Sequence, residues 1–233
     1  YLTESKCYEN LNFLCKTIGH RLSGSKGAAN AVDWCKKAMY KAGADTVILQ
    51  PCMVPHWVRG KAEECYLNSG KTKNKLSCCA LGSSVGTGLN GIKAKVIEVK
   101  SFDELEKIGT ENIKGKIVFY NVFFNQTHIN TGAAYSEAVK YRVKGASYAA
   151  KYGAIGALVR SVTSATDDAP HTGNMVYDTT ISKIKIPIVA LSYKAADELN
   201  NSLKNNPNSV IELKTYCENL PEVLSYNVIG QIN

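Results

Sequence analysis

Strands and helices alternate in the middle of the chain. Short runs of apolar, β-branched and aromatic residues predict three strands, at residues 115–122, 154–160 and 186–191. Residues 135–152 place apolar side chains at helical spacing, with charged side chains on the opposite face, and residues 194–204 repeat this pattern. Because strands alternate with amphipathic helices, the pattern predicts an α/β layer with crossover connections.

The flanking regions predict further elements of both kinds. Helices are expected at residues 2–18 and 28–42 and again after Ser101, where Glu104 three residues later completes a capping box. Strands are expected at residues 46–49, 61–67, 76–81, 94–99, 210–215 and 226–232. The lysine-rich segment 71–75 is predicted to lie in a loop between two of these strands.

Length and composition indicate a globular protein of one or two domains. The chain has 233 residues, of which 45% are hydrophobic and 21% charged. No segment approaches the roughly 18 uninterrupted apolar residues of a membrane span, so no membrane span is expected. A signal-peptide pattern is absent from the first residues, which suggests a mature or trimmed product.

The net charge of +8 changes this picture little. The basic residues are spread along the chain and are not interleaved with stacking aromatic residues, so a nucleic-acid partner is not expected. A solvated surface is the favoured interpretation. The alternative is an acidic partner or an anionic ligand.

Eight cysteines are many for a cytosolic protein of this length. None of them has CxxC spacing, which argues against a structural zinc knuckle. An oxidising compartment with disulfides is the favoured interpretation, and several free buried thiols are the alternative. Connectivity stays open, although the adjacent Cys78 and Cys79 are expected to pair elsewhere, or only one of them to pair.

Two N-glycosylation sequons begin at Asn125 and Asn200. A chain with this many Asn, Ser and Thr residues contains such triplets by chance, so the sequons are no evidence of secretion. They mark where sugar would be attached if a eukaryotic cell secretes the protein.

Several motifs together resemble a protease-associated domain within an M28 zinc exopeptidase. They span nearly the whole chain in order. Inside the α/β layer the motifs are KGKIV at 114–118, YR at 141–142, GA at 145–146, GALVRS at 156–161, PHTG at 170–173 and IP at 186–187. Those outside it are GHRLSGS at 19–25, VPHWVRG at 54–60 and NVIGQI at 227–232.

The resemblance implies an α/β fold in which a protease-associated domain, a mixed sheet with flanking helices, is inserted into a peptidase domain. Residues 1–50 would be N-terminal helices and the first strand of the peptidase domain. Residues 51–219 would form the protease-associated domain, and residues 220–233 the return into a truncated catalytic domain.

The chemistry of a zinc peptidase is not found within these residues. The four histidines lie in neither HExxH nor HxD spacing, and in the family the HxD motif follows the segment that resembles 227–232. No catalytic residue and no metal ligand is therefore expected in this span. The resemblance places zinc in a longer parent enzyme, of which this chain would be the N-terminal part.

The parent enzyme, as the resemblance implies, hydrolyses dipeptides or free peptide ends by metal-activated water. It would be secreted or lysosomal and a homodimer. The inserted domain would border the substrate cleft, for which the candidate residues are Arg160, His171 and Thr172. Arg160 ends a predicted strand and could hold a substrate carboxylate. The alternative is that Arg160 pairs with an acidic neighbour and His171 caps a turn.

Two functions without catalysis compete with this interpretation. Protease-associated domains also occur in receptors and sorting proteins, so the chain could be a non-catalytic binding module. A secreted domain that binds acidic partners through its positive charge is the third possibility, and its binding should weaken steeply with salt.

Overall fold

The computed structural model describes residues 5–233, so the part of the predicted first helix at residues 2–4 lies outside the described residues. The chain divides into two compact units. Unit 1 consists of residues 1–58 and 219–233, and unit 2 consists of residues 59–218.

Helices and strands follow one another along the described chain. The helices are α1 (Cys7–Phe13), which continues into a π-helical turn (Leu14–Ile18), α2 (Lys26–Lys41), α3 (Phe102–Ile113), α4 (Thr131–Lys151) and α5 (Tyr193–Asn205). The strands are β1 (Thr46–Val58), β2 (Glu64–Ser69), β3 (Thr72–Lys75), β4 (Cys78–Ala80), β5 (Ile92–Val99), β6 (Ile117–Tyr120), β7 (Gly156–Arg160), β8 (Ile188–Leu191), β9 (Val210–Lys214) and β10 (Glu218–Gln231).

Unit 2 is built on an eight-stranded mixed sheet with the order β3-β2-β9-β5-β6-β7-β8-β4. Strands β5 to β8 pair in parallel, and the remaining pairs are antiparallel. The mixed α/β fold predicted from the sequence is therefore confirmed. Helical crossovers between parallel strands place α4 between β6 and β7, as the alternating pattern required.

Both faces of the parallel strands are buried. Every residue of β6, β7 and β8 is buried, which explains why these strands appear in the sequence as continuous apolar runs. On one face, Val118, Val159 and Ala190 join a core that includes Leu105 of α3 and Ala146 of α4. Helix α5 contacts β5, β7 and β8 and buries Ala195, Ala196 and Leu199.

An aromatic cluster holds α3 and α4 against the sheet. Phe102 stacks on Tyr148 with ring centroids 3.9 Å apart and lies 4.7 Å from Tyr141. The Tyr120 hydroxyl donates a 2.8 Å hydrogen bond to the carbonyl of Gly145. A Cβ at Gly145 would lie only 2.8 Å from the Tyr120 ring. This helix position therefore requires glycine if α4 is to approach the sheet this closely.

Unit 1 buries few of its apolar side chains. Its strands β1 and β10 pair in a two-stranded sheet, and Val47 and Trp57 are the buried hydrophobic residues among its described residues. Large apolar side chains elsewhere in the unit are exposed, namely Tyr8, Leu11, Phe13, Leu22, Tyr40, Ile48, Met53, Val58, Leu220, Leu224, Tyr226, Ile229 and Ile232. A two-stranded sheet with this little burial is marginal without a covering surface.

The structure corrects two details of the predicted elements. Residues 72–75 are not a loop but strand β3, which pairs with β2 at the edge of the sheet. Lysines on an edge strand are compatible with pairing, since they face water and discourage association with other chains. Strand β1 is also longer than the predicted strand 46–49, since it runs on through Gln50 and Pro51 to Val58.

The predicted cap of α3 is present with one difference. Ser101 accepts a 3.0 Å hydrogen bond from the amide of Glu104, as a capping box requires. The Glu104 carboxylate accepts in return from the amide of Lys100, one residue before the expected donor. Among the helices of residues 5–233, none combines the length and apolar character needed to cross a bilayer.

We expect Gly145→Ala to lower the free energy of unfolding by about 1–3 kcal/mol, because the added methyl group overlaps the Tyr120 ring. Ser136→Ala, an exposed position of the same helix, should change it by less than about 0.5 kcal/mol. Urea unfolding of both variants measures the difference. Equal stability of the two variants would show that the helix does not approach the sheet this closely.

Candidate functional site

Polar residues collect where the parallel strands end. Asn121 follows β6, Arg160 ends β7 and is followed by Ser161, and Ser192 follows β8. Because the carboxyl ends of parallel strands meet at one edge of the sheet, these residues lie together. This edge is where α/β sheets commonly place their ligand contacts, so it is the candidate site.

Arg160 is the centre of this group and is only 1% exposed. Its Nε donates to Asn121 Oδ1 at 2.7 Å, and its Nη2 donates to Asp197 Oδ1 at 2.7 Å. The guanidinium also lies over the Phe123 ring, 4.0 Å from the centroid, and 5.0 Å from that of Tyr193. The charge of the Arg160 guanidinium and its planar surface are thus both occupied by neighbours in unit 2.

The surroundings of Arg160 match the alternative stated from the sequence, a pair with an acidic neighbour. Asp197 lies on α5, and Asn121 and Phe123 lie between β6 and α4. The arginine therefore links two segments that the chain order separates. Burial of a guanidinium is tolerated here because each contact is charge-assisted or covers an aromatic face.

The segment after β7 is held to the sheet by side-chain hydrogen bonds. The amide of His171 donates to Ser161 Oγ at 2.8 Å, and Thr172 Oγ1 donates to the carbonyl of Ala80 at 2.9 Å. The side chains of His171 and Thr172 are exposed. They lie on an ordered segment that follows Arg160, whereas the guanidinium itself is turned toward α5.

Asp168 is the second anchor of this segment. Its carboxylate accepts hydrogen bonds from Ser192 Oγ at 2.5 Å and from Ser77 Oγ at 2.8 Å. These bonds favour the charged form and lower the pKa of Asp168, and Lys194 adds a smaller effect in the same direction. At neutral pH the Asp168 carboxylate is therefore charged and accepts both hydrogen bonds.

Sequence reasoning missed Asn121, Phe123, Tyr193 and Asp197. None of them belongs to a recognisable motif. The one available indication was position: Asn121 lies at the end of the predicted strand 115–122, Phe123 follows it, and Tyr193 and Asp197 lie at the start of the helix after the third predicted strand.

No group of side chains suited to zinc occurs in the described part of the chain. In residues 5–233, no three His, Cys, Asp or Glu residues converge as metal ligands. A zinc ion requires three or four such ligands. The described residues therefore do not fit the metal that the resemblance implies, and no catalytic step is assigned to them.

A basic face covers the other end of the sheet. Cross-strand pairing places five lysines and two glutamates on this face, namely Lys73, Lys75, Lys93, Lys95, Lys214, Glu64 and Glu212. Glu212 pairs with Lys73 at 2.5 Å and with Lys93 at 2.6 Å, beside a shallow cavity of about 270 Å³. The lysines lower the pKa of Glu212 through these hydrogen bonds. The five lysines of this face outnumber its two glutamates, so the face keeps a positive charge.

The two sequons lie in different surroundings. Asn125 is exposed in the connection between β6 and α4, and its Oδ1 accepts from both the amide and the hydroxyl of Thr127. Asn200 lies inside α5 and is half-buried.

The chain resembles known peptidases over nearly its full length. It is 38% identical over 229 residues to carboxypeptidase Q of Xenopus laevis and 37% identical to that of Homo sapiens, and each match covers 98% of this chain. Each also covers 46% of the relative, so the chain spans about half the length of the curated relatives it matches. No protein-family model matches the chain.

Solved structures agree with this similarity. A peptidase M28 precursor from Shewanella amazonensis superposes with a TM-score of 0.88 at 32% identity, covering 97% of this chain and 50% of that one. An aminopeptidase from an Aneurinibacillus strain shares the fold at a TM-score of 0.62 and 17% identity. The resemblance to M28 peptidases predicted from the sequence is confirmed. The chain is a homologue of carboxypeptidase Q and corresponds to about half of a protein of that kind.

Proposed function

We propose that this chain is part of a zinc-dependent exopeptidase that hydrolyses dipeptides or free peptide ends. In this proposal unit 2 is a protease-associated domain that shapes access to the substrate. Unit 1 belongs to the domain that holds the metal in the rest of the protein. The relatives named above support this assignment, since they are peptidases of about twice this length.

The observation that carries the proposal is the exposed apolar surface of unit 1. Ile48, Met53, Leu224 and Ile229 are each more than 40% exposed on its two-stranded sheet. Soluble proteins rarely leave contiguous surfaces of this kind open. A larger sheet, continued by the second half of the protein, would cover these side chains and supply the ligands that the described residues lack.

His171 and Thr172 are the proposed contacts of unit 2 with substrate, and Arg160 is proposed to position them. The exposed His171 can donate to a carboxylate or carbonyl of a small peptide, whereas Arg160 has its donors engaged by Asn121 and Asp197. Substrate enclosure by a second domain would also exclude water from the metal centre.

A binding module without catalysis is the second candidate. The excess of lysine over glutamate on the basic face favours it, because an acidic partner would find complementary charge there. Its contacts with that partner would be exposed and therefore weakened by salt.

The natural full-length protein should hydrolyse unblocked dipeptides and should fail on the same dipeptides acetylated and amidated at their ends. Removal of metal by a chelator should abolish hydrolysis, and added zinc should restore it. His171→Ala should raise KM by about 2- to 10-fold, the loss of one hydrogen bond, with zinc content unchanged.

His128→Ala is the matched control for that experiment, because His128 is a partly exposed histidine of unit 2 that is already bonded to Glu137 at 2.8 Å. It should leave KM unchanged. Equal effects of the two variants would remove His171 from the substrate site. Zinc-loaded protein without hydrolysis of any dipeptide would overturn the peptidase proposal and favour the binding module.

We also propose that the protein is secreted, which predicts different behaviour of the two sequons. In a eukaryotic secretory host, Asn125→Gln should remove one glycan, because Asn125 is exposed in the connection between β6 and α4. Asn200→Gln should leave the glycan mass unchanged, because Asn200 is half-buried inside a helix. Mass spectrometry before and after endoglycosidase treatment measures both. A glycan at Asn200 and none at Asn125 would contradict the expectation.

A further inference from the structure

We propose that Cys65 and Cys78 form a disulfide that joins β2 to β4 and thereby closes the sheet of unit 2. All eight cysteines have free thiols in the structure. The proposal does not depend on peptidase activity, and a protein without that activity would test it equally well.

The two thiols are already in contact. Cys65 is fully buried in β2, and its side chain is hydrogen-bonded to that of Cys78. The backbone fixes this approach, because the amide of Leu76 donates to the carbonyl of Cys65 at 2.9 Å, two residues before Cys78. Oxidation therefore needs only that two adjacent sulfur atoms draw together to the bonded distance of about 2.05 Å.

Strand geometry decides between Cys78 and Cys79. Successive residues of a strand point to opposite faces, so the two thiols of β4 point apart. Cys79 accepts a 3.0 Å hydrogen bond from Arg59 Nη1, on the side opposite Cys65. Four cysteines of unit 2 allow three pairings, and the thiol contact singles out the pairing that contains Cys65 and Cys78.

The position of the bond gives it a structural effect. Strand β2 is second from one edge of the sheet, and β4 is the opposite edge. A thiol of β2 can touch a thiol of β4 only if the sheet curls until its two ends approach each other. A disulfide would hold that curl in place by enclosing the β2–β3 hairpin within residues 65–78.

Thiol–disulfide exchange supplies a balanced route. Cys78, the less buried of the two, attacks the disulfide of an oxidised exchange partner as its thiolate and releases one partner thiol. Cys65 then gives up its proton and attacks the Cys78 sulfur, which releases the second partner thiol. Two electrons and two protons pass to the partner disulfide. The hydrogen bond to Cys78 and, after it, burial raise the pKa of Cys65, and Cys65 is also the less accessible thiol, so Cys78 is the better first nucleophile.

The test is peptide mapping of the whole protein purified from an oxidising host. Free thiols are alkylated first, and the protein is then digested with trypsin without reduction. We expect the peptide of residues 62–71, which contains Cys65, to be linked to the peptide of residues 76–93, which contains Cys78 and Cys79.

Two single variants identify the cysteine within the second peptide. Cys79→Ser should keep the link, and Cys78→Ser should abolish it. Reduction of the natural protein should lower the Tm at which unit 2 unfolds by about 6–12 °C, the effect of releasing a loop of this length in a unit of this size. Because mapping uses the natural sequence, a variant that fails to fold does not remove the test.

Three outcomes would overturn the proposal. These are recovery of Cys65 or Cys78 fully alkylated from the oxidising host, a link from Cys65 to another cysteine, and survival of the link in Cys78→Ser. Each of these results would show that the thiol contact is not used as a disulfide.

Discussion

Burial of both faces of the parallel strands is the constraint on which unit 2 depends. All residues of β6, β7 and β8 are buried, so helices must cover both sides of these strands. Helices α3 and α4 pack through the aromatic cluster, and the close approach at Gly145 sets how near α4 can lie. Helix α5 also covers β7 and β8. Its position there brings Asp197 to Arg160 at the end of β7.

The same constraint explains the arrangement around Arg160. It is the one charged residue within β6, β7 and β8, and it is buried at the carboxyl edge. A buried cation is tolerated only if its charge and donors are paired. Asn121 and Asp197 supply those partners, so the arginine connects the segment after β6 with α5. The ordered segment with His171 starts directly beside this link, which makes the edge a defined surface.

Sequence patterns predicted the parallel strands and α4 and α5 well, because complete burial leaves continuous apolar runs and helices leave a 3.6-residue period. They failed for β3, whose lysines belong to an edge strand that faces water. The environment of Arg160 was also beyond the sequence, since Asp197 lies 37 residues further along the chain and meets the arginine only through the fold. The contact of Cys65 with Cys78 likewise required the strand order.

Unit 1 differs from unit 2, because its sheet leaves apolar residues uncovered. The described residues also offer no group of metal ligands.

The most direct test of the account is the intact mass of the protein isolated from its natural source, with zinc quantified in the same sample. The account predicts a polypeptide of about twice 25.3 kDa with about one or two zinc ions per chain. A polypeptide near 25.3 kDa that contains no zinc would contradict it.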